Sequence, residues 1–226
     1  MLTSYNVREF DDDPSCIVWP AARILLHWLY HHLESNFGET LRGSTVLDLG
    51  AGTGFLALSL ATEVKHVVAV EGSELGFSNL EFNISKCNSL NVTPVFWNWE
   101  AQPGIPPELP EKLDIILGSD IVYPRYYDCD ALCETVSCLL GRSLAKEPLA
   151  LFALCERAST DSSSNNFDFF FEACTKRLLK VSEFPISNEI LTTVLGAGAV
   201  HGEHDDPGGG VGVRSCIRLF RIQRSE

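Results

Sequence analysis

An α/β fold with a mostly parallel sheet, an antiparallel C-terminal edge and helices on both faces is what this chain predicts. Three observations carry it. From residue 46 onward, apolar runs of strand length alternate with segments of helical periodicity. The first run, Val46 to Leu49, passes straight into the turn Gly50-Ala51-Gly52-Thr53-Gly54 and then into the helical FLALSLA. The last two runs have a loop but no helix between them, which closes the sheet with an antiparallel pair.

The elements follow in order. Residues 1–16 are polar and acidic, with Glu9, Asp11, Asp12 and Asp13, and read as an N-terminal arm, frayed or an edge strand. Residues 17–226 read as one domain, as the length favours. Pro20 suits the first turn of a helix reaching about Leu33, with Ile24, Leu25, Trp28 and Leu33 on one side. His27 and His31 lie four apart on it, but Trp28 stands where a zinc-protease motif needs glutamate. Strands follow at His66–Glu71, Val92–Trp97, Leu113–Gly118, Pro148–Leu154, Lys180–Phe184 and Val213–Ile222. Helices are expected over Leu75–Ser89, Ala131–Leu140 and Phe167–Leu179. A proline-rich loop runs through Pro110, and residues 196–212 read as a glycine-rich, acidic hairpin tip.

Totals narrow the function. Net charge is −13 over 226 residues, and the pI is about 4.8. A phosphate-backbone partner needs basic patches, so no nucleic-acid partner is expected. No apolar run is long enough to span a membrane, and the start of the chain lacks a basic, apolar signal. The 8 cysteines form no C-x-x-C pair. Cys129, Cys133 and Cys138 read as small core residues rather than a zinc site. A reducing, intracellular compartment fits, cytoplasmic and also nuclear, and a monomer is favoured.

The glycine turn indicates the ligand. Its glycines stand at Gly50, Gly52 and Gly54, followed by Phe55, whereas dinucleotide loops run G-x-G-x-x-G. Asp48 sits two residues before the first glycine. A carboxylate there is a poor neighbour for a pyrophosphate and a good one for a cation. S-adenosyl-L-methionine carries an ammonium and a sulfonium and no phosphate, so the turn points to it rather than to NAD. Glu71, about 20 residues further on at a strand end, is placed to bond both ribose hydroxyls.

Taken in order, VWPAA (18–22), VLDLGAGTGF, VVAVEGSE, FWNWE and DIILGSDIVYP resemble the seven-stranded, class I methyltransferases of the non-histone protein-lysine methyltransferase family. The likeness covers roughly residues 17–184. It implies a Rossmann-like seven-stranded fold, S-adenosyl-L-methionine as cofactor and a protein substrate bearing a lysine. It also implies roles. Gly50, Ala51 and Gly52 would underlie the methionyl part, with Asp48 near its ammonium and Glu71 on the ribose. Trp99 would lie against the adenine with Asn98 beside it, Trp19 would help close the cavity, and Ser119 would join the cofactor contacts. Asp120 and Tyr123 match the family's acidic-x-x-aromatic motif beside the transferred methyl and are the expected catalytic pair, Asp120 orienting the amine and Tyr123 lining its channel. Asn98 stands where the family often has Asp, and Glu71 where Asp is typical. Trp97 alternates with Trp99 and reads as core. A histidine-directed or small-molecule methyltransferase, and a non-catalytic module keeping the fold, are the alternatives.

Overall fold

The structure, a computed structural model, describes residues 6–10, 13–36, 41–87, 91–122, 129–157, 165–196 and 217–225. Seven strands form one sheet: β1 (Thr45–Leu49), β2 (His66–Glu71), β3 (Val92–Phe96), β4 (Ile115–Ser119), β5 (Leu149–Cys155), β6 (Leu179–Phe184) and β7 (Ile217–Arg224). Their spatial order is β3-β2-β1-β4-β5-β7-β6. The first five pair in parallel, and β7 lies antiparallel between β5 and β6. Pro94 falls within β3, at the sheet edge, where a missing backbone donor costs least.

Around the sheet lie α1 (Pro20–Asn36), α2 (Phe55–Leu60), α3 (Glu74–Cys87), α4 (Cys129–Arg142), α5 (Asn166–Lys176) and α6 (Asn188–Leu195). Alternation along each strand divides the core in two. On one side Val46, Ala69, Leu117 and Leu151 pack with Ile24, Leu25, Leu58 and Ile190. On the other, Leu47, Val70, Ile116 and Phe152 pack with Leu132, Val136, Phe167 and Phe170. β1 is buried along its whole length, as a central parallel strand between two helical layers must be.

Helix α6 departs from the expected loop between the last two strands. The Ser187 hydroxyl accepts from the Ile190 amide at 3.3 Å and caps the helix, while Ile190 is 2% exposed. The closing strands still pair antiparallel, so the helix rides on a connection that leaves the sheet order unchanged. The expected glycine-rich hairpin tip lies outside the described residues, apart from Gly196. Within the arm, Pro14–Cys16 forms a 3-10 turn instead of a strand, capped by the Asp13 carboxylate on the Ser15 amide at 2.8 Å. Cys133 is core, in sulfur contact with Cys174 at 3.5 Å, but Cys129 is half-buried and Cys138 is exposed beside Glu134. The exposed Cys138 corrects its reading as a core residue. It lies off the helix face that buries Val136, Leu139 and Leu140.

Phe152 has no exposed surface, and its ring stacks on Phe170 at 6.4 Å between centroids. Phe152→Ala is expected to lower the unfolding free energy by about 3–5 kcal/mol, read from urea denaturation.

Candidate functional site

A cavity of about 420 Å³ opens where β1, β2 and β4 end. The parallel strands β2 and β4 flank β1 there, and the chain leaves β1 toward opposite edges, the switch point at which open α/β sheets bind ligands. Its floor is the glycine turn. Gly50 and Gly52 hold φ of 72° and 54°. A Cβ on Gly50 would lie 2.6 Å from Ile121 Cγ2, and one on Gly52 2.7 Å from the Ser15 carbonyl oxygen. Both the left-handed backbone and the space therefore require glycine.

Glu71 ends β2 and ties the rim together. The Gly52 amide donates to its Oε2 at 2.8 Å, and the Gly72 and Ser73 amides donate to Oε1 at 3.0 and 2.9 Å. Burial pushes its carboxyl pKa up, against the pull of these three amides. Ser73 in turn donates through its hydroxyl to Asp13 at 2.6 Å. Asp13 thus anchors a strap, Pro14 to Trp19, that forms one wall. Within the strap the Trp19 indole N–H donates to the Pro14 carbonyl at 2.9 Å, and the Val18 amide donates to Glu9 at 2.6 Å.

The opposite wall comes from the segment after β3. Trp99 is 8% exposed and meets Trp97 edge-on at 6.4 Å. Trp97, 1% exposed, donates its indole N–H to the Gln102 carbonyl and belongs to the core. The Asn98 side chain lines the cavity and accepts from the Glu100 and Ala101 amides at 3.1 and 3.0 Å, so its carbonyl oxygen shapes the turn.

At the end of β4, Asp120 takes a left-handed φ of 56°, which aspartate tolerates better than most residues. Its amide still donates to the Ala153 carbonyl at 2.8 Å. The carboxylate is gripped from behind by Arg157, each guanidinium Nη donating to one oxygen at 2.6 Å.

Of the residues expected from sequence, Trp19, Gly50, Ala51, Gly52, Glu71, Asn98, Trp99, Ser119 and Asp120 line this one cavity. Tyr123 lies outside the described residues. Asp48 does not line the cavity. Strand alternation puts it with Val46 on the α2 side of β1, 1% exposed. Neither of its oxygens reaches a partner of good hydrogen-bond geometry, although the Ala57 amide at the first turn of α2 acts weakly on it. Burial first, and then the charge of Glu71, push its pKa up to about 7 against that amide. Sequence reasoning missed Arg157, Glu100 and the strap residues Pro14 and Ser15. A basic residue just past β5 was the available signal for Arg157.

Among the described lining residues are Glu71, Glu100 and Asp120, and no lysine or arginine. With Asp120 paired to Arg157, Glu71 and Glu100 still leave the described lining net negative, which repels phosphate and favours positive charge. The bare backbone admits a chain at close approach, and the Trp99 indole offers a surface for a flat ring. A purine nucleoside with a cationic tail fits these residues.

Residues 7–176 match the family model described as lysine methyltransferase. A solved structure of the YcgJ protein from Bacillus subtilis aligns over 88% of this chain and 99% of its own, with a TM-score of 0.55 and 14% identity. Magnesium protoporphyrin IX methyltransferase from Synechocystis, solved with bound SAM, aligns over 90% and 78% with a TM-score of 0.54 and 14% identity. Protein arginine N-methyltransferase 6 from Xenopus tropicalis is 33% identical over 91 residues. That match spans 40% of this chain and a quarter of the relative's length.

Asp48 has a sign-definite consequence. A carboxyl with a raised folded pKa stabilises the fold fully only below its unfolded value, near 3.9, and that stability is lost as pH rises through about 7. Asp48→Asn is therefore expected to be more stable than the wild type, by a margin growing from near zero at pH 4 to roughly 3–4 kcal/mol at pH 7. Urea unfolding across that range checks it, a constant margin being the contrary result.

Proposed function

The chain belongs to the lysine methyltransferase family, and on that premise we propose that it is a protein-lysine N-methyltransferase acting on a non-histone protein. Family membership makes it a methyltransferase, the sheet order gives it the class I, seven-stranded fold, and S-adenosyl-L-methionine is its cofactor on this reading. The observation that carries the reading is the cavity lining around a bare-backbone turn, which among the described residues holds Glu71, Glu100 and the Arg157-paired Asp120 and no lysine or arginine. A phosphate-bearing cofactor would meet repulsion there, and a sulfonium meets none.

When bound, S-adenosyl-L-methionine supplies a methyl group on a positively charged sulfur, open to in-line attack by a nitrogen. The chain's residues do the rest. Gly50, Ala51 and Gly52 would offer backbone to the methionyl part, Glu71 would accept from ribose hydroxyls, and Trp99 would flank the adenine, with Asn98 and Ser119 also in the lining. Trp19 and its strap keep water from one side. Asp120 orients the acceptor nitrogen, and Tyr123 lines its approach.

Aligning two reactants can supply roughly 7–11 kcal/mol of the barrier. A lysine acceptor adds a demand, because its ammonium has no lone pair. Deprotonating it near pH 7.4, with the proton passing to solvent water and not to Asp120, costs about 4 kcal/mol from a reference pKa of about 10.4. Neutral pairing of Asp120 supports this role, since an unpaired carboxylate would hold the acceptor in its charged form. Among the described residues no helix is long and apolar enough to cross a membrane. The reading places the enzyme with intracellular proteins, in the cytoplasm and nucleus, and the chain's charge of −13 favours basic substrates.

Incubating the protein with labelled S-adenosyl-L-methionine and a cell lysate, then mapping the modified residue, is expected to find lysine. Label on arginine, histidine or a small molecule would replace the lysine reading. Asp120→Asn is expected to cut turnover at least about a hundredfold while calorimetric affinity for S-adenosylhomocysteine stays within about threefold. Equal losses in both would remove Asp120 from the orienting role.

A further inference from the structure

The carboxylate at the reacting end of the cavity is not free. Arg157 holds it in a two-pronged pair, Nη1 to Oδ1 and Nη2 to Oδ2, both at 2.6 Å. The Asp120 side chain is 2% exposed and that of Arg157 24%. The Cys155 amide adds a longer bond to Oδ1 at 3.4 Å. Planar fork-to-fork pairing fixes both position and plane, which a lysine at this place would not do.

Arg157 is itself fixed. Asn166, with no exposed surface, accepts the Arg157 amide on its side-chain oxygen at 2.7 Å and returns its own amide to the Arg157 carbonyl at 3.1 Å. Its side-chain nitrogen donates to the Cys155 and Val122 carbonyls at 2.8 and 3.2 Å. One buried amide therefore joins the tail of β4, the tail of β5 and the first turn of α5. The guanidinium also lies 5.8 Å from the Trp19 ring, on the strap. Asp120 and Trp19 line the cavity, whereas Arg157 does not.

We propose that Arg157 is a positioning residue for methyl transfer, which clamps Asp120 from behind and cancels its charge where donor sulfur and acceptor nitrogen meet. The inference rests on the cofactor reading above. A lone buried carboxylate at that point would bind the sulfonium and the acceptor ammonium tightly and leave the nitrogen protonated. A lone guanidinium would repel both. The pair leaves an oriented dipole, able to accept a hydrogen bond from an amine without fixing its charge.

The charge state of this spot can be read without the protein substrate. S-adenosyl-L-methionine and S-adenosylhomocysteine differ by one methyl and one positive charge on sulfur, so the ratio of their affinities reports local charge. Calorimetry on the full chain is expected to show Asp120→Asn, which removes the carboxylate charge at this spot, weakening the sulfonium ligand about tenfold relative to the neutral one. Arg157→Met, which leaves Asp120 uncompensated, is expected to shift the ratio about tenfold the other way. The double variant returns it to within about threefold of the wild type, and Arg157→Lys, which keeps the charge, does the same. Arg157→Gln serves in place of Met should Met not fold, with thermal melting as the check. A purely structural role would weaken both ligands together. Ratios that stay put in both single variants, or move in the same direction, overturn the proposal. A wild type that binds neither ligand overturns the cofactor reading itself, and the proposal with it.

Discussion

The carboxylate of Glu71 accepts amides from Gly52, Gly72 and Ser73, and through that one group the ends of β1 and β2 are held in a fixed relation. Backbone donors in a glycine turn have no side chain to hold them, so something must stop the turn from collapsing into the space it creates. Glu71 does so from the next strand, and Ser73 extends the hold to the strap through Asp13. The cost is a buried charge. Three amides offset part of it, and the rest appears as a carboxyl that gives up its proton less readily than usual.

The same economy recurs across the cavity. Asp120 occupies a backbone conformation that L-residues seldom take, and it buries its charge. Breaking a buried pair by removing one partner is costly, typically about 3–5 kcal/mol, whereas the intact pair is close to neutral. Arg157 and Asn166 therefore hold in place a geometry that the β4 tail would not keep alone. Strain stored at a site persists only where its surroundings over-determine it, and here those surroundings are the tails of two strands and a helix start.

Much of this was legible in the residues. Runs of strand length gave the seven strands, although the start of the last expected strand, residues 213–216, lies outside the described residues, and the glycine turn with Glu71 located the cavity. Trp97 is core as expected, and Trp99 packs against it in the same cluster while lining the cavity. The helix Asn188–Leu195 escaped because its threonines and valine suit a strand equally well, and only Ser187 and the burial of Ile190 decide the matter. Asp48 reads from sequence as a neighbour of the ligand's ammonium, but its side depends on the pleat of β1, which buries it on the far side from the cavity. Arg157 was invisible as a partner, because it lies 37 residues from Asp120 and only the β4–β5 pairing brings them together.

The arm also changes what the N-terminus is. Asn79 and Asn83, both buried on α3, grip Arg8: its amide donates to Asn83 at 2.9 Å, its Nε donates to Asn79 at 2.8 Å, and both carboxamides donate to its carbonyl. Asn83 also donates to the Thr53 carbonyl in the glycine turn at 2.9 Å. Proteolytic nicking after Arg8 would therefore not trim a loose tail. It would deprive the two buried carboxamides of Arg8 and slacken the glycine turn through Asn83, so the age of a preparation would show first in its ligand affinity and only later in its melting.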